Sequence, residues 1–458
     1  MKKVKHTTLT DNPEAFVWEC ILRELPGKRL VVLGRLNGCQ VVAKFFIHAA
    51  KAKIEVDAHQ LLLQANVLTP SIVYSGVDAN TQHSVIIYDY IQQTEDSRAV
   101  WNSQNQEQRH RFMDQIVSIL AKEHAHDLSR HDLHPNNFLI SGEQCYALDP
   151  TSVKQASLSR EACLKSLGEL CGQIAVPLND DYQHILKAYL AVRDWSLESR
   201  DEKILKRWQT QYRKKRENKY LEKLFRECTR VTCVKNFKRR IVCWRESYTP
   251  SMQTMLDNID QAVNEGKILK AGNSNTIARV DVDQEVFVIK RYNMKNWTQR
   301  IKRIVKKNRA VNSWENAGRL FFHHVPTPMP IALVEHKWGP FRGKVYFVSR
   351  FEKGVSLDKF LKRENIVDDE KQFIKREVKS LLSSLKQLRL SHGDMKATNF
   401  LVTDNAVMIT DLDGMRYHQC SHSYEKAFLV DKLRFLENWR HEIEYLDTFS
   451  SIFEEISL

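Results

Sequence analysis

The sequence lacks the features that would place it in a membrane, outside the cell or around a structural metal. Its 458 residues contain no apolar run of 18 or more residues, so no membrane-spanning helix is predicted. The first residues lack the apolar stretch of a secretory signal. Nine cysteines are scattered without a CxxC pair, which favours reduced thiols in a cytosolic protein. The length predicts two to four domains, and 42% hydrophobic and 28% charged residues are typical of a globular chain.

Most of the chain also has little net charge, because the formal charge of +14 is concentrated in one segment. Residues 203–245 hold 16 Lys and Arg residues against three Glu, with aromatic residues between them. One interpretation is a solvated helix face. The other is a surface for polyanions, since each cation near an anionic membrane contributes about 1 kcal/mol and interleaved aromatics suit that interface. No nucleic-acid-binding motif occurs, so a membrane or anionic glycolipid is favoured, and nucleic acid is not expected as a partner.

One motif occurs twice and organises the chain. In residues 130–137 and again in residues 392–399, an Asp is followed five positions later by an Asn. Twelve residues after each Asn, a second Asp closes a short apolar strand. This is the layout of kinase loops in which one Asp faces the acceptor hydroxyl, while the Asn and the second Asp hold Mg²⁺ on the phosphates of ATP. The residues are Asp132, Asn137 and Asp149 in the first copy, and Asp394, Asn399 and Asp411 in the second.

Ahead of the first motif, the pattern predicts a small β-rich lobe. Residues 29–36 and 39–46 are predicted strands joined by an Asn-Gly turn, which is a strong hairpin signal. Lys44 stands alone in the second strand. It is either an edge residue facing water or the Lys that grips the ATP phosphates and pairs with a helix Glu. Residues 49–64 have helical spacing and place Glu55 for that pairing.

Three further predictions concern the rest of the first half. Residues 13–25 form a helix or a strand, which the pattern does not separate. Residues 84–91 are a predicted strand leading into the hinge against which adenine rests. Residues 97–126 are a predicted helix leading into the catalytic loop. Only Gly27 lies in the turn expected to cover phosphates, which is a weak signal.

The second half restarts the same order. Residues 268–276 are a predicted strand, a polar loop and the start of the next strand, and Gly272 and Ser274 of that loop can cover phosphates. Lys290 is the candidate phosphate Lys, and Glu315 on the following helix is its candidate partner. Residues 295–307 are a second basic run, predicted to be helical.

The end of the second half bears on the class of kinase. Asp413 could touch metal or substrate, or could cap a turn, and these interpretations are equally favoured. Only 44 residues follow Gly414, too few for the activation segment and large helical lobe of a typical protein kinase. A small-molecule or sugar kinase is therefore favoured. The predicted fold class is α+β, with two tandem protein-kinase-like bilobal domains at 1–202 and 249–458, and a basic joint at 203–248.

At the level of whole motifs, the second half resembles the bacterial lipopolysaccharide core kinases, which phosphorylate Kdo or heptose sugars. The resemblance is carried by residues 271–276, 289–292, 313–317, 326–328 and 409–414. The first half resembles the same family more loosely, with a loop closer to aminoglycoside and choline kinases. The resemblance implies ATP and Mg²⁺ as cofactors, a sugar hydroxyl of a lipid-linked core as acceptor, and a cytoplasmic location peripheral to the inner membrane, which the basic segment would contact.

The implied mechanism is direct in-line phosphoryl transfer. In the second half, Asp394 would orient the acceptor hydroxyl and Lys396 would neutralise the migrating phosphoryl group. Asn399 and Asp411 would hold Mg²⁺, while Lys290, fixed by Glu315, would grip the phosphates. The first half would use Asp132, His134, Asn137, Asp149, Lys44 and Glu55 in the same roles.

Some differences leave alternatives open. In the first motif, Arg130 replaces the more usual His, and Pro150 follows the candidate metal-binding Asp149. His134 stands where the second half has Lys396. This replacement predicts a different acceptor or a weaker rate in the first half. The competing functions are a protein kinase, a pseudokinase scaffold for envelope enzymes, and a chain in which one half is catalytic and the other binds substrate or regulates.

Overall fold

The computed structural model of the chain divides into two compact units. The first unit comprises residues 1–174 and 178–214, and the second comprises residues 175–177 and 215–458. The structure describes residues 6–10, 12–272, 274–293, 308–338 and 341–457. Both units combine helices and sheets, which confirms the α+β class. The domain limits at 202 and 248 stay predictions.

The first unit has a six-stranded antiparallel sheet followed by helices. The sheet order is His6–Leu9, Asn12–Leu25, Arg29–Leu36, Cys39–Phe46, Ser84–Asp89, Ile72–Val77. The other strands are Thr94–Glu95, Leu128–Arg130, Phe138–Ser141, Gln144–Ala147 and Val153–Gln155. The helices are Ala49–Gln64, Ser97–Trp101, Gln106–Ala125, Arg160–Cys171, Asp181–Val192 and Asp201–Lys223, the last of which contains the boundary between the units.

The hairpin predicted at Asn37-Gly38 is confirmed. Both turn residues have positive φ, 54° at Asn37 and 78° at Gly38, as a two-residue turn that matches strand twist requires. The turn fixes the register, so that Leu36 pairs with Cys39 and Val31 pairs with Lys44. The segment 13–25, left open between helix and strand, is part of the strand Asn12–Leu25.

The helix predicted over residues 97–126 is wrong in one respect, because two helices occupy that segment. Asp96 caps the first helix, accepting bonds from two backbone N–H groups, and Asn105 caps the second by accepting from Gln108. Such side chains compete for backbone N–H groups and begin helices, so the chain restarts at Asn105. The second helix buries Phe112, Ile116 and neighbouring residues in the helical core of the first unit.

The second unit has a seven-stranded antiparallel sheet. Its order is Val231–Lys235, Arg239–Trp244, Pro330–Trp338, Phe341–Arg350, Glu285–Tyr292, Asn275–Val282, Lys267–Ala271. The other strands are Val355–Ser356, Leu390–Ser391, Phe400–Val402, Val407–Ile409 and Arg416–Tyr417. The helices are Pro250–Asp257, Ile259–Glu265, Arg309–Phe322, Leu357–Leu361, Asp368–Gln387, Ser421–Leu436 and Ile443–Ser457.

Much of the basic segment 203–245 is regular structure. Its carboxy-terminal part supplies two strands to the sheet of the second unit, where Ile241 pairs with Val334 and Cys243 pairs with Ala332. Burial of Ile241, Val242 and Cys243 anchors these strands in the core. Within the described residues, no helix is long and apolar enough to cross a membrane. The basic run predicted to be helical at 295–307 lies outside the described residues.

A buried charged cluster in the second unit carries a pH prediction. Glu217 accepts a bond from Arg319 Nε at 2.9 Å and lies 3.1 Å from His323 Nε2. Burial opposes ionisation of Glu217, but the bond to His323 and the charge of Arg319 outweigh it and lower the pKa of Glu217 to about 2.

Because the folded-state pKa of Glu217 is depressed, its stabilisation is present above about pH 4.5 and is lost as the pH falls toward 2. We expect Glu217→Gln to remove this part of the pH dependence of the free energy of unfolding, measured by urea unfolding between those pH values. Glu222→Gln, at an exposed position on the same helix, is the control and should keep the wild-type pH dependence. An unchanged pH dependence in Glu217→Gln would contradict the assignment.

Candidate active site

The two repeated motifs fold into the same loop. Asn137 Nδ2 donates to the carbonyl oxygen of Asp132 at 3.0 Å, and Asn399 Nδ2 donates to the carbonyl oxygen of Asp394 at 2.8 Å. In each loop the Asn side chain closes a ring on the Asp five residues earlier. This bond accounts for the fixed spacing that the sequence repeats.

Each loop is also joined to its second Asp by the backbone. Leu148 N–H donates to Asn137 O at 2.7 Å, and Thr410 N–H donates to Asn399 O at 2.9 Å. The Asp that follows each donor has left-handed backbone, with φ of 50° at Asp149 and 58° at Asp411. A non-glycine residue adopts this conformation at a cost, so both turns are held by their surroundings.

Arg130 takes the structural place of a histidine. His392 Nε2 lies 2.9 Å from the carbonyl oxygen of Thr410, directly before the second Asp of its motif. Arg130 Nη1 donates at 3.0 Å to the carbonyl oxygen of Leu148, at the equivalent point. The unusual Arg therefore supports the loop of the first unit in the way that the His supports the loop of the second.

The first unit places its candidate nucleotide residues around one cavity. Lys44 Nζ forms an ion pair with Glu55, as predicted, and Tyr88 Oη donates to Glu55 at 2.8 Å. Arg29 Nη1 lies 3.5 Å from both Glu55 Oε2 and Asp149 Oδ1. Burial opposes ionisation of Asp149, but the charges of Lys44 and Arg29 outweigh it and lower the pKa of that carboxyl group.

The cavity has a volume of about 330 Å³ and two chemically different ends. Val31, Val42 and Leu139 supply apolar walls, whereas Lys44 and Asp149 supply charge. An apolar slot beside a charged end suits a purine base joined to phosphates. Arg29 and Tyr88 are functional candidates that sequence reasoning missed.

The second unit arranges its charged residues differently, which corrects one prediction. Lys290 Nζ forms an ion pair with Asp411 and lies 3.1 Å from Asp413 Oδ2, whereas Glu315 contacts Arg319 at 3.2 Å. The predicted pairing of Lys290 with Glu315 is therefore wrong. Glu315 and Arg319 are one helical turn apart, which brings their side chains together on the same helix face.

Asp413 belongs to the same charged group. Arg309 Nη2 lies 2.8 Å from Asp413 Oδ2, and Asn316 Nδ2 donates to the carbonyl oxygens of Leu412 and Met415 at 3.2 and 2.9 Å. The helix Arg309–Phe322 thus fixes the turn that follows Asp411. Burial opposes ionisation of Asp411, but Lys290 outweighs it and lowers the pKa of the carboxyl group.

Oxygen ligands suited to Mg²⁺ are available in both units. Carboxylate and amide oxygens are the ligands that this ion prefers. Asp411 and Asn399 of the second unit, and Asp149 and Asn137 of the first, provide them on loops joined by backbone hydrogen bonds. The donor chemistry fits the predicted metal, and its role stays a prediction.

The carboxylate of Asp394 lies between two cations in the second unit. Lys396 Nζ donates to Asp394 Oδ2 at 2.8 Å, and Arg434 Nε lies 3.6 Å from Oδ1. All three side chains are partly exposed, so an acceptor can reach them. Sequence reasoning missed Arg434, which comes from the helix Ser421–Leu436.

Asp431 of the same helix holds the backbone of the loop that carries Asp394. Its two carboxylate oxygens accept the backbone N–H groups of His392 and Gly393 at 2.6 and 2.9 Å. Gly393 has φ of 82°, and a Cβ there would lie 2.9 Å from the carbonyl oxygen of Gly414. The glycine and Asp431 together fix the backbone that carries Asp394.

Three other predicted residues have local backbone partners. His134 Nδ1 accepts the N–H of Asn136 at 3.2 Å and so caps the loop turn of the first unit. In the second unit, Gly272 N–H donates to Asn275 O at 3.0 Å, and Ser274 O accepts the N–H of Asn293 at 3.1 Å. The roles of these residues toward phosphate stay predictions.

Comparison with known proteins supports the kinase interpretation. The model of the lipopolysaccharide kinase (Kdo/WaaP) family matches residues 260–425. No curated protein matches the chain. The family match confirms the resemblance for that segment, and because the family is one of kinases, it also confirms the expectation of a phosphotransferase. A kinase family implies ATP as the phosphoryl donor.

Two solved structures are similar to part of the chain. WaaP in complex with acyl carrier protein is 21% identical, with 43% of this chain and 87% of that chain covered and a TM-score of 0.33. The autoinhibited serine kinase domain of the giant muscle protein titin is 14% identical, with 43% and 75% covered and a TM-score of 0.31.

Proposed function

We propose that the chain transfers a phosphoryl group from Mg-ATP to a heptose or Kdo hydroxyl of the lipopolysaccharide core. The observation that carries the proposal is the placement of Asp394, Lys396 and Asn399 on one loop, joined by the backbone to Asp411, inside the segment that matches a lipopolysaccharide kinase family. The catalytic residues and the sugar acceptor are both part of the proposal.

In this mechanism, each site residue of the second unit has a separate role. Asp394 orients the acceptor hydroxyl and receives its proton late in the transfer. Lys396 offsets the negative charge that builds up on the migrating phosphoryl group. Asn399 and Asp411 would hold Mg²⁺, which would supply positive charge to offset that of the phosphates, and Lys290 reaches the phosphates from the strand Glu285–Tyr292.

The proposal includes two kinase-like units in tandem. Both loops share the same Asn-to-Asp bond and the same left-handed Asp, and the first unit adds the ion pair of Lys44 with Glu55 beside its cavity. This shared geometry favours an active site in each unit over a scaffold without catalysis. A protein kinase remains the alternative that a substrate test decides.

We also propose that the chain works at the cytoplasmic face of the inner membrane, where a lipid-linked core would be presented. The basic segment 203–245 supports this proposal, because its exposed lysines and arginines favour an anionic surface. The same positive charge would draw a phosphorylated glycolipid toward the enzyme.

The test is transfer of labelled γ-phosphate by the purified full chain. We expect label in core lipopolysaccharide extracted from a strain that lacks this protein, and none in a general protein substrate such as casein. Omitting Mg²⁺ should abolish transfer, because the acidic residues then have no ion through which to hold the phosphates. Labelling of casein with an unlabelled core would favour the protein kinase, and no labelling with no binding of Mg-ATP would favour the scaffold.

A further inference from the structure

A second cavity lies in the second unit and is lined by none of the kinase motif residues. It has a volume of about 320 Å³. Its walls come from residues 216–224, at the carboxy-terminal end of the long basic helix, and from residues 228–231, with Trp244 and Phe322 completing the lining. The proposed phosphoryl transfer leaves this cavity without a role.

The rim of this cavity is cationic. Arg216, Lys219, Lys223 and Arg230 line it, and none of the other described lining residues is an Asp or Glu. Within the part of the chain that the structure describes, Lys219, Lys223 and Arg230 make no ion pair. Two acids close in sequence contact other arginines, since Glu217 contacts Arg319 and Glu227 contacts Arg245. The like charges of Lys219, Lys223 and Arg230 repel each other across the cavity rim, and an anion bound among them would relieve that repulsion.

The floor of the cavity is aromatic. Trp244 is 5% exposed, and its indole N–H donates to the carbonyl oxygen of Pro330 at 2.5 Å, so the ring is fixed. The ring of Tyr220 lies 6.4 Å from that of Trp244 and 4.8 Å from that of Phe322, measured between centroids. Aromatic faces suit the carbon skeleton of a sugar or glycerol, whereas the rim suits its phosphate.

We propose that this cavity binds a phosphate group carried on a small polyhydroxylated head, either a sugar phosphate or a phospholipid head group. The volume lies at the lower end of small-molecule sites, so the cavity accommodates one head group and not a long polyanion. The proposal rests on the proposed membrane contact of the basic segment 203–245 and assigns that contact to this cavity. Binding is measured without transfer, so its failure leaves the proposed kinase activity untouched.

The test compares two variants of equal charge, measured on the full chain. Lys219→Gln/Lys223→Gln removes two rim cations, and Lys235→Gln/Lys238→Gln removes two exposed cations of the same basic segment outside the cavity lining. The probes are glucose 1-phosphate, by titration calorimetry with glucose as blank, and phosphatidylcholine vesicles containing phosphatidylglycerol, by cosedimentation. We expect at least one probe to bind, with affinity lowered about tenfold or more by the rim variant and within about twofold by the control.

The outcomes separate the two sources of phosphate. Binding of glucose 1-phosphate that depends on the rim identifies a sugar phosphate, and vesicle binding that depends on the rim identifies a lipid head group. Equal losses in both variants would show that net charge alone draws the chain to anions, which overturns the proposal. Failure of wild type to bind either probe overturns it as well. Circular dichroism of the variants verifies folding, which substitutions at exposed positions should preserve.

Discussion

Asp394→Asn is expected to lower the rate of phosphoryl transfer by the second unit by about 10²–10⁴-fold, the usual contribution of a positioned proton acceptor. The amide keeps the size of the side chain but cannot accept the proton of the acceptor hydroxyl. Lys396 would still reach the phosphates, and the residues proposed to hold Mg-ATP would be unchanged. The measurement is kcat for transfer to core lipopolysaccharide, together with the affinity for Mg-ATP, which should change little.

The matched control is Asp404→Asn. Asp404 is exposed in the turn between the strands Phe400–Val402 and Val407–Ile409, so the substitution makes the same charge change close to the loop. We expect transfer by this variant to stay close to wild type. If both variants lost activity equally, or if Asp394→Asn kept full activity, the carboxylate of Asp394 would not be the proton acceptor.

The equivalent substitution in the first unit, Asp132→Asn, tests whether one or both units catalyse phosphorylation of the core. Mass spectrometry of the core from a complemented deletion strain shows which phosphate each variant lacks. Loss of one phosphate in the Asp394 variant alone would make the first unit a binding or regulatory domain. Loss of different phosphates in the two variants would make the chain a bifunctional kinase.

Spacing was sufficient to predict both loops, because the bonds that shape them are local. The Asn side chain must reach a carbonyl oxygen five residues earlier, and the following strand must return to the loop backbone. The hairpin at Asn37-Gly38 was equally predictable, since its turn geometry depends on two adjacent residues. These features are recorded in the sequence as fixed intervals.

Contacts between residues far apart in the sequence do not produce a fixed spacing that could be recognised. Arg29 meets Asp149 across 120 positions, and Lys290 meets Asp411 across 121. Glu315 was assigned to Lys290 because the helix was expected to place it there, but its orientation on the helix brings it to Arg319. Periodicity predicts that a helix exists more reliably than it predicts which neighbour each side chain will meet.

The basic segment 203–245 was predicted as a joint because its charge obscured its strand pattern. The strand Arg239–Trp244 begins with two half-buried arginines and continues with four buried residues. A charge count over the whole segment does not distinguish the arginines from the four buried residues, although only the buried residues belong to the core. For the same reason, the charge count did not predict the cavity that Trp244 lines.

Arg130→Met is expected to destabilise the first unit by about 3–5 kcal/mol, the cost of breaking a buried ion pair from one side. Arg130 and Glu123 are fully buried, and the guanidinium contacts both carboxylate oxygens as well as the carbonyl oxygen of Leu148. Without Arg130, the charge of Glu123 stays buried without its partner. Hydrogen exchange in the helix Gln106–Ala125 reports the loss, with the helix Asp368–Gln387 of the second unit as an internal reference.

Two further variants separate charge burial from packing. Glu123→Met/Arg130→Met removes both charges and should recover much of the stability, because apolar side chains often replace a buried pair at little cost. Arg111→Met breaks an exposed pair with Glu107 on the same helix and should change stability by less than about 1 kcal/mol. If the double variant were as unstable as Arg130→Met, the bond from Arg130 to the Leu148 carbonyl would be the dominant contribution. Arg130 would then stabilise the first unit chiefly by holding the loop beside Asp149, as His392 holds the loop beside Asp411.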